Sequence, residues 1–325
     1  MANLLKAICS ILLIQFSLLS FCQQKQEMIL VENFGKNEGN LKMYLHNTDT
    51  NTVKKPLVVV LHGCGQTAKS AAELSGWNKI ADSGHFMVLY PQQKFWNNPD
   101  LCFNWFNKND IERNKGECAS IAEMIQFALE NYLVNKDSIF ITGFSAGAAM
   151  CVAMMAAYPE LFKSGASFAG AAYKLADNAF EGIKVMMGKR NVAQSLLVNN
   201  VQEQYKDFKG TYPTMIIYQG KNDPVVNPVN AQYIADQWNG LNNIDTAKYQ
   251  IINAYMGIKN ITRKQWLNAD SVPKVILYEV NNLGHRLLVK PGAALQEGGR
   301  IGTFGVNIGY HATYYTARDF GLIKF

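Results

Sequence analysis

Charge is scarce in this chain. Asp, Glu, Lys and Arg make up only 17% of its 325 residues, the formal net charge is +6, and nowhere do five or six lysines or arginines run together. Nucleic-acid tails and polyanion-binding stripes are built from such runs, so no nucleic-acid partner is expected. Histidine and cysteine are also few. The five histidines, at 46, 62, 85, 285 and 311, and the four cysteines beyond residue 22 show no close metal-ligand spacing, so neither a metal nor another cofactor is expected. The chain has no internal repeat and no linker that would divide it into domains. It also lacks an apolar run long enough to span a bilayer: the stretch from Ala7 to Leu19 is short and is broken by Gln15, so no stable membrane anchor is expected.

Hydrophobic residues, at 48%, are sufficient for a substantial core. The first 22 residues stand apart from it. Lys6 gives a short positive start, the apolar stretch follows, and Ser20-Phe21-Cys22 before Gln23 puts small residues at −3 and −1 of a cleavage site. Residues 1–22 therefore read as a secretory signal peptide, and the expected location is extracellular or periplasmic. A lipoprotein reading of Leu19-Ser20-Phe21-Cys22 is weakened by Phe21, which stands where a small residue is needed. Loss of this segment leaves Cys64, Cys102, Cys118 and Cys151, and an oxidising compartment favours at least one disulfide. Four cysteines allow three complete pairings. Cys102 is expected to pair with either Cys64 or Cys118, and Cys151 reads as a buried thiol.

Residues 23–325 are expected to form one catalytic domain, and a monomer. Apolar strand-like runs at Leu57 to Leu61, Phe86 to Tyr90, Ile139 to Thr142, Ser164 to Phe168, Met215 to Tyr218 and Val275 to Val280 alternate with helical patterns at Ala71 to Ala81, Ala119 to Leu133, Ala148 to Tyr158 and Asn230 to Trp238. Such alternation predicts an α/β fold with a mainly parallel sheet covered on both faces. Residues 92–115 and 291–309 read as loops, and 172–210 as irregular helices.

Gly143-Phe144-Ser145-Ala146-Gly147 lies between the Ile139 strand and the small-residue helix. A serine at a tight strand-to-helix turn points its hydroxyl outward, and glycines two residues to either side let strand and helix pass without clashes. This is the context of a nucleophile elbow. A serine hydroxyl needs a base within reach and a carboxylate to orient that base. Asp223 follows the strand ending at Tyr218, and His285 follows the strand ending at Val280. The order serine, acid, histidine is that of α/β-hydrolases, and all three lie where open α/β sheets place their sites. The catalytic candidates are thus Ser145, Asp223 and His285. His62-Gly63-Cys64-Gly65, after the Leu57 strand, suggests an oxyanion hole made by the amides of Cys64 and Ala146, with His62 as a structural residue. Trp105 and Asn104, in Cys102-Phe103-Asn104-Trp105-Phe106, are the substrate-binding candidates. Plain packing of Trp105 and loop capping by Asn104 are the alternatives.

The chain resembles the polyhydroxybutyrate depolymerase family of esterases, which also contains feruloyl and acetylxylan esterases. The likeness runs from about Pro56 to Leu322 and is carried by PLVVVLHGCGQTA at 56–68, YPQQ at 90–93, CFNWF at 102–106, GECASIAEMI at 116–125, GFSAGAAM at 143–150, YPELF at 158–162, YQGKNDPVVNP at 218–228 and ARDFGL at 317–322. The resemblance implies an α/β-hydrolase fold with Ser145, Asp223 and His285 as triad. Arg286 departs from the smaller residue common after the histidine, and no separate polymer-binding domain follows, so soluble esters are expected to be preferred. The expected activity is a secreted, cofactor-independent serine esterase acting on short hydroxyalkanoate oligomers or, alternatively, on feruloyl or acetyl esters of plant polysaccharides. A prolyl-oligopeptidase-type peptidase would need a large extra domain for which this chain lacks room. A non-catalytic carbohydrate-binding protein on a hydrolase scaffold would be favoured by loss of a triad member, and none is missing.

Overall fold

The apolar runs assemble into a ten-stranded sheet whose middle is parallel and whose edges are antiparallel. The computed structural model describes residues 28–47 and 53–323. The proposed signal peptide lies outside the described residues. In chain order the strands are β1 (Ile29–Val31), β2 (Lys42–His46), β3 (Lys55–Leu61), β4 (Met87–Gln92), β5 (Val134–Phe144), β6 (Ser164–Phe168), β7 (Thr214–Gly220), β8 (Gln250–Ile252), β9 (Ile261–Leu267) and β10 (Pro273–Val280). The helices are α1 (Ala68–Ser75), α2 (Trp77–Gly84), α3 (Lys108–Ile111), α4 (Gly116–Asn131), α5 (Ala146–Ala157), α6 (Ala179–Met186), α7 (Gln194–Gln202), α8 (Val229–Leu241) and α9 (Ala312–Asp319).

Across the sheet the order is β1-β2-β4-β3-β5-β6-β7-β10-β9-β8. The chain leaves β3 to one side for β4 and returns on the other side as β5. The loops after β3 and β5 therefore diverge and open a crevice at the carboxyl ends of the strands. Alternate side chains of the central strands feed two cores. Leu57, Val59 and Leu61 of β3 pack with Ile121, Met150, Leu197 and Trp238 of α4, α5, α7 and α8. Val58 and Val60 pack on the opposite face with Trp77, Ile80, Ala312 and Ala317 of α2 and α9. This is the α/β-hydrolase architecture.

Departures from the expected elements have local causes. The single helix expected over Ala71 to Ala81 is broken at Gly76, whose φ of +76° places it in the left-handed region, and a Cβ there would lie 2.6 Å from the Gly299 amide nitrogen. The loop over 92–115 contains the four-residue α3. The helix after Ser145 begins at Ala146, without an intervening turn. The edge strands β1, β2, β8 and β9 and the terminal α9 were not foreseen, because they are short, or mix polar and apolar positions as in Ile-Thr-Arg-Lys-Gln-Trp-Leu of β9. No helix among the described residues is long and apolar enough to cross a membrane.

Candidate active site

Ser145 is the only residue between β5 and α5, with φ 57° and ψ −121°. A side-chain-bearing residue at positive φ is strained and persists only where its surroundings over-determine it. Here the two glycines are those surroundings. A Cβ on Gly143 would lie 2.2 Å from the Gly147 carbonyl oxygen, and one on Gly147 would lie 2.4 Å from the carbonyl oxygens of both Leu61 and His62. The Ser145 N–H donates to the Phe168 carbonyl at 2.9 Å, fastening the elbow to the end of β6.

Asp223 and His285 come from the ends of β7 and β10, which are hydrogen-bonded parallel neighbours. Their loops are fastened together. The Asn222 N–H donates to the Leu283 carbonyl at 3.0 Å, and the Asn282 N–H to Asn222 Oδ1 at 3.1 Å. Asp223 Oδ1 accepts from the amides of Val225 and Val226, each at 2.8 Å, while Oδ2 lies 2.8 Å from His285 Nδ1. His285 Nε2 lies 2.9 Å from Ser145 Oγ. A carboxylate only accepts, so Nδ1 carries the hydrogen and Nε2 is left to accept from the serine hydroxyl. Burial alone would raise the Asp223 carboxyl. The hydrogen bond from His285, the Val226 and Val225 amides and the charge of His285 together outweigh burial and hold Asp223 below the ordinary carboxylate range. The Phe144 ring packs 4.9 Å from the imidazole, centroid to centroid. The three residues that the sequence places far apart are brought into one hydrogen-bonded line.

The loop after β3 faces this line. The Gly63 N–H donates to Gln66 Oε1 at 2.7 Å. His62 is buried, its Nδ1 donating to the Gly63 carbonyl at 2.8 Å and its Nε2 accepting the Gln93 N–H at 3.0 Å. Burial pushes this imidazole down to about 4, against the raising effect of the Gly63 bond, so His62 is neutral and both ring nitrogens are used. Among the described residues, neither the Cys64 nor the Ala146 N–H makes a hydrogen bond. A disulfide joins Cys64 to Cys102, selecting one of the two expected pairings, and Cys118 and Cys151 are buried free thiols.

The two substrate-binding candidates turn inward. Trp105 is 8% exposed and belongs to the core, edge-on to Phe106. Asn104 Nδ2 donates to Glu117 Oε1 at 2.9 Å and its Oδ1 accepts from Asn98 at 2.9 Å, so its amide ties the loop. Sequence reading did not single out Gln93 or Glu117, which organise this loop. Both stand inside family-like stretches, but a buried polar side chain carries no signal in its spacing. Gln219 was also missed; its Nε2 lies 3.5 Å from Asp223 Oδ2. No group of three or more His, Cys, Asp or Glu among the described residues is arranged to hold a metal ion.

The family model described as Esterase PHB depolymerase matches residues 41–251. A poly(3-hydroxyalkanoate) depolymerase C from Paucimonas lemoignei is 33% identical over 293 residues, 90% of this chain and 70% of that protein. Acetylxylan esterase A from Aspergillus oryzae is 29% identical over 219 residues, 65% of this chain and 70% of that one. In structure the chain is similar to the acetyl xylan esterase from Aspergillus awamori, with a TM-score of 0.77 and 21% identity, covering 91% of this chain and all of the other.

Proposed function

The chain belongs to the Esterase PHB depolymerase family, and from that premise we propose that residues 23–325 are a single secreted catalytic domain, released from a signal peptide at 1–22, that hydrolyses 3-hydroxyalkanoate esters through an acyl-enzyme. The observation that carries this reading is the line Asp223–His285–Ser145, with contacts of 2.8 and 2.9 Å. His285 Nε2 takes the hydroxyl proton as Ser145 Oγ attacks the ester carbonyl. Asp223 holds the ring and offsets the charge of the imidazolium. The amides of Cys64 and Ala146 donate to the oxyanion. Collapse of the tetrahedral intermediate breaks the acyl–oxygen bond, and the proton on His285 goes to the departing alcohol. Water then repeats the sequence on the acyl-enzyme, releasing the acid and returning the proton to Ser145.

The depolymerase relative, which matches nearly the whole chain, supports the hydroxyalkanoate class. The acetylxylan esterases match a shorter stretch at lower identity. Turnover of 3-hydroxybutyrate oligomers, acetylated xylan, methyl ferulate and p-nitrophenyl esters decides between them. The hydroxybutyrate oligomers are expected to give the highest kcat/KM, and higher values on acetylated xylan or ferulate would move the enzyme to polysaccharide esters. Ser145→Ala and His285→Ala should each remove several orders of magnitude of activity from a folded protein, and a fluorophosphonate should label Ser145 alone. A folded, fully active Ser145→Ala protein would sink the mechanism.

A further inference from the structure

Glu117 anchors a polar network that runs through Gln93 to His62 in the loop after β3. It lies in the first turn of α4 and is 1% exposed. Its carboxyl receives three N–H donors: the Gln93 side-chain amide and Asn104 Nδ2 on Oε1, and the Asn104 backbone N–H on Oε2, the last two at 2.9 Å. All are neutral amides. The orientation of Gln93 is set by backbone partners, since its Nε2 also donates to the Cys102 carbonyl at 3.0 Å and its Oε1 accepts the Lys94 N–H at 2.9 Å. The NH₂ group therefore faces Glu117, and the carboxyl serves as acceptor to every partner it has. An acceptor surrounded by donors in a buried site is costly to remove, because each donor is then left unpaired.

The same segment holds the loop after β3 at four points. The Gln93 N–H donates to His62 Nε2 at 3.0 Å, the Phe103 ring packs 4.7 Å from the His62 ring, the Gly65 N–H donates to the Asp100 carbonyl at 2.7 Å, and Cys102 is bonded to Cys64. Residues 93–104 thus form a wedge held by Glu117 on one side and bonded on the other to the loop that carries the Cys64 amide. We infer that Glu117 is a positioning residue for the oxyanion hole, acting through Gln93 and Cys102 on the amide of Cys64. This rests on the serine-esterase reading above. A wedge of this kind matters most in the transition state, when the carbonyl oxygen gains charge and the donor distance is decisive.

The test compares Glu117→Ala and Glu117→Gln with the wild type, using kcat, KM and the affinity for a trifluoromethyl ketone, which binds serine as a tetrahedral adduct. Loss of one oxyanion donor typically lowers kcat by about a hundred- to a thousandfold, so displacement of one is expected to cost about ten- to a hundredfold in kcat, with KM changed less than about threefold. Affinity for the ketone should fall in parallel. Glu117→Gln keeps the shape but must turn an NH₂ toward one of the donors, so it too should lose activity. A folded Glu117→Gln enzyme with wild-type kcat, or a fall in kcat with no loss of ketone affinity, overturns the assignment. Failure of both variants to fold also overturns it, making Glu117 architectural only. The two readings fail separately: an active Ser145→Ala protein removes the esterase mechanism, whereas an inactive one beside a fully active Glu117→Gln removes only the role of Glu117.

Discussion

Gly147 lies against the backbone of His62, so that the helix behind the nucleophile and the loop that faces it share one surface: a Cβ on Gly147 would come within 2.4 Å of the His62 carbonyl oxygen. Backbone cannot yield as a flexible side chain would. Gly147→Ala should therefore destabilise the protein by about 1–3 kcal/mol and lower kcat by displacing the loop that carries the Cys64 amide. Thermal denaturation and steady-state kinetics measure both. A Gly147→Ala enzyme with the wild-type Tm and kcat would show that the elbow is looser than these contacts imply.

Asp223 fixes which nitrogen of His285 carries the hydrogen. Asp223→Asn keeps the shape, but its amide NH₂ can turn toward Nδ1, favouring the tautomer in which Nε2 no longer accepts from Ser145. We expect kcat to fall by about three to four orders of magnitude near neutral pH, with the fold retained. Activity within tenfold of the wild type would remove Asp223 from the triad.

The Cys64–Cys102 bridge spans 38 residues of sequence and joins the loop after β3 to the segment 93–104. Its loss in Cys102→Ser should cost about 2–5 kcal/mol. In the native protein Cys118 and Cys151 should resist alkylation until the chain is unfolded, because both are fully buried. Peptide mapping under non-reducing conditions that finds Cys102 free, or joined to Cys118, would contradict the bridge.

Trp105 packs among core side chains, so Trp105→Ala should cost about 3–5 kcal/mol of stability and reduce turnover of all esters alike. An unchanged Tm with losses confined to bulky acyl groups would restore Trp105 as a substrate contact.

Two buried histidines, His62 and His311, are pushed from the ordinary 6.5 down to about 4 by burial, against the hydrogen bonds to Gly63 and Ser75. In the unfolded chain both protonate as the pH falls below 6.5, while in the fold they stay neutral until about 4. The unfolded state thus binds more protons across that interval, and stability is lost there as the pH is lowered, by roughly 3 kcal/mol per imidazole. It is fully present above 6.5, and the loss from these groups is complete below about 4. Asp223 acts later: its contribution is present above the ordinary 3.8 and is lost as the pH falls through its lowered folded value. Urea denaturation at pH 7.5, 6 and 4.5 measures the slope, and a flat profile would refute it.

The parallel strands and the elbow were legible in the sequence because each depends on neighbours in the chain. A strand buried on both faces must be apolar throughout, as Leu57 to Leu61 is, and a serine between strand and helix needs small residues at 143 and 147. Asp223 and His285 were readable by a related argument, since a residue just past the end of a parallel strand is delivered to the same edge of the sheet whatever lies between. What only the tertiary structure decided were contacts between segments with no common periodicity. Cys64 met Cys102, while Cys118, equally plausible by spacing, was packed against Met150 inside the helical layer. Trp105 and Asn104 sit in a loop whose sequence fits packing or binding alike, and it was the carboxyl of Glu117, 13 residues beyond Asn104, that drew Asn104 inward. Local patterning follows from steric and hydrophobic demands that every residue feels from its own neighbours. The direction of a loop side chain follows from which buried polar group needs a partner, and that is known only once the layers have closed.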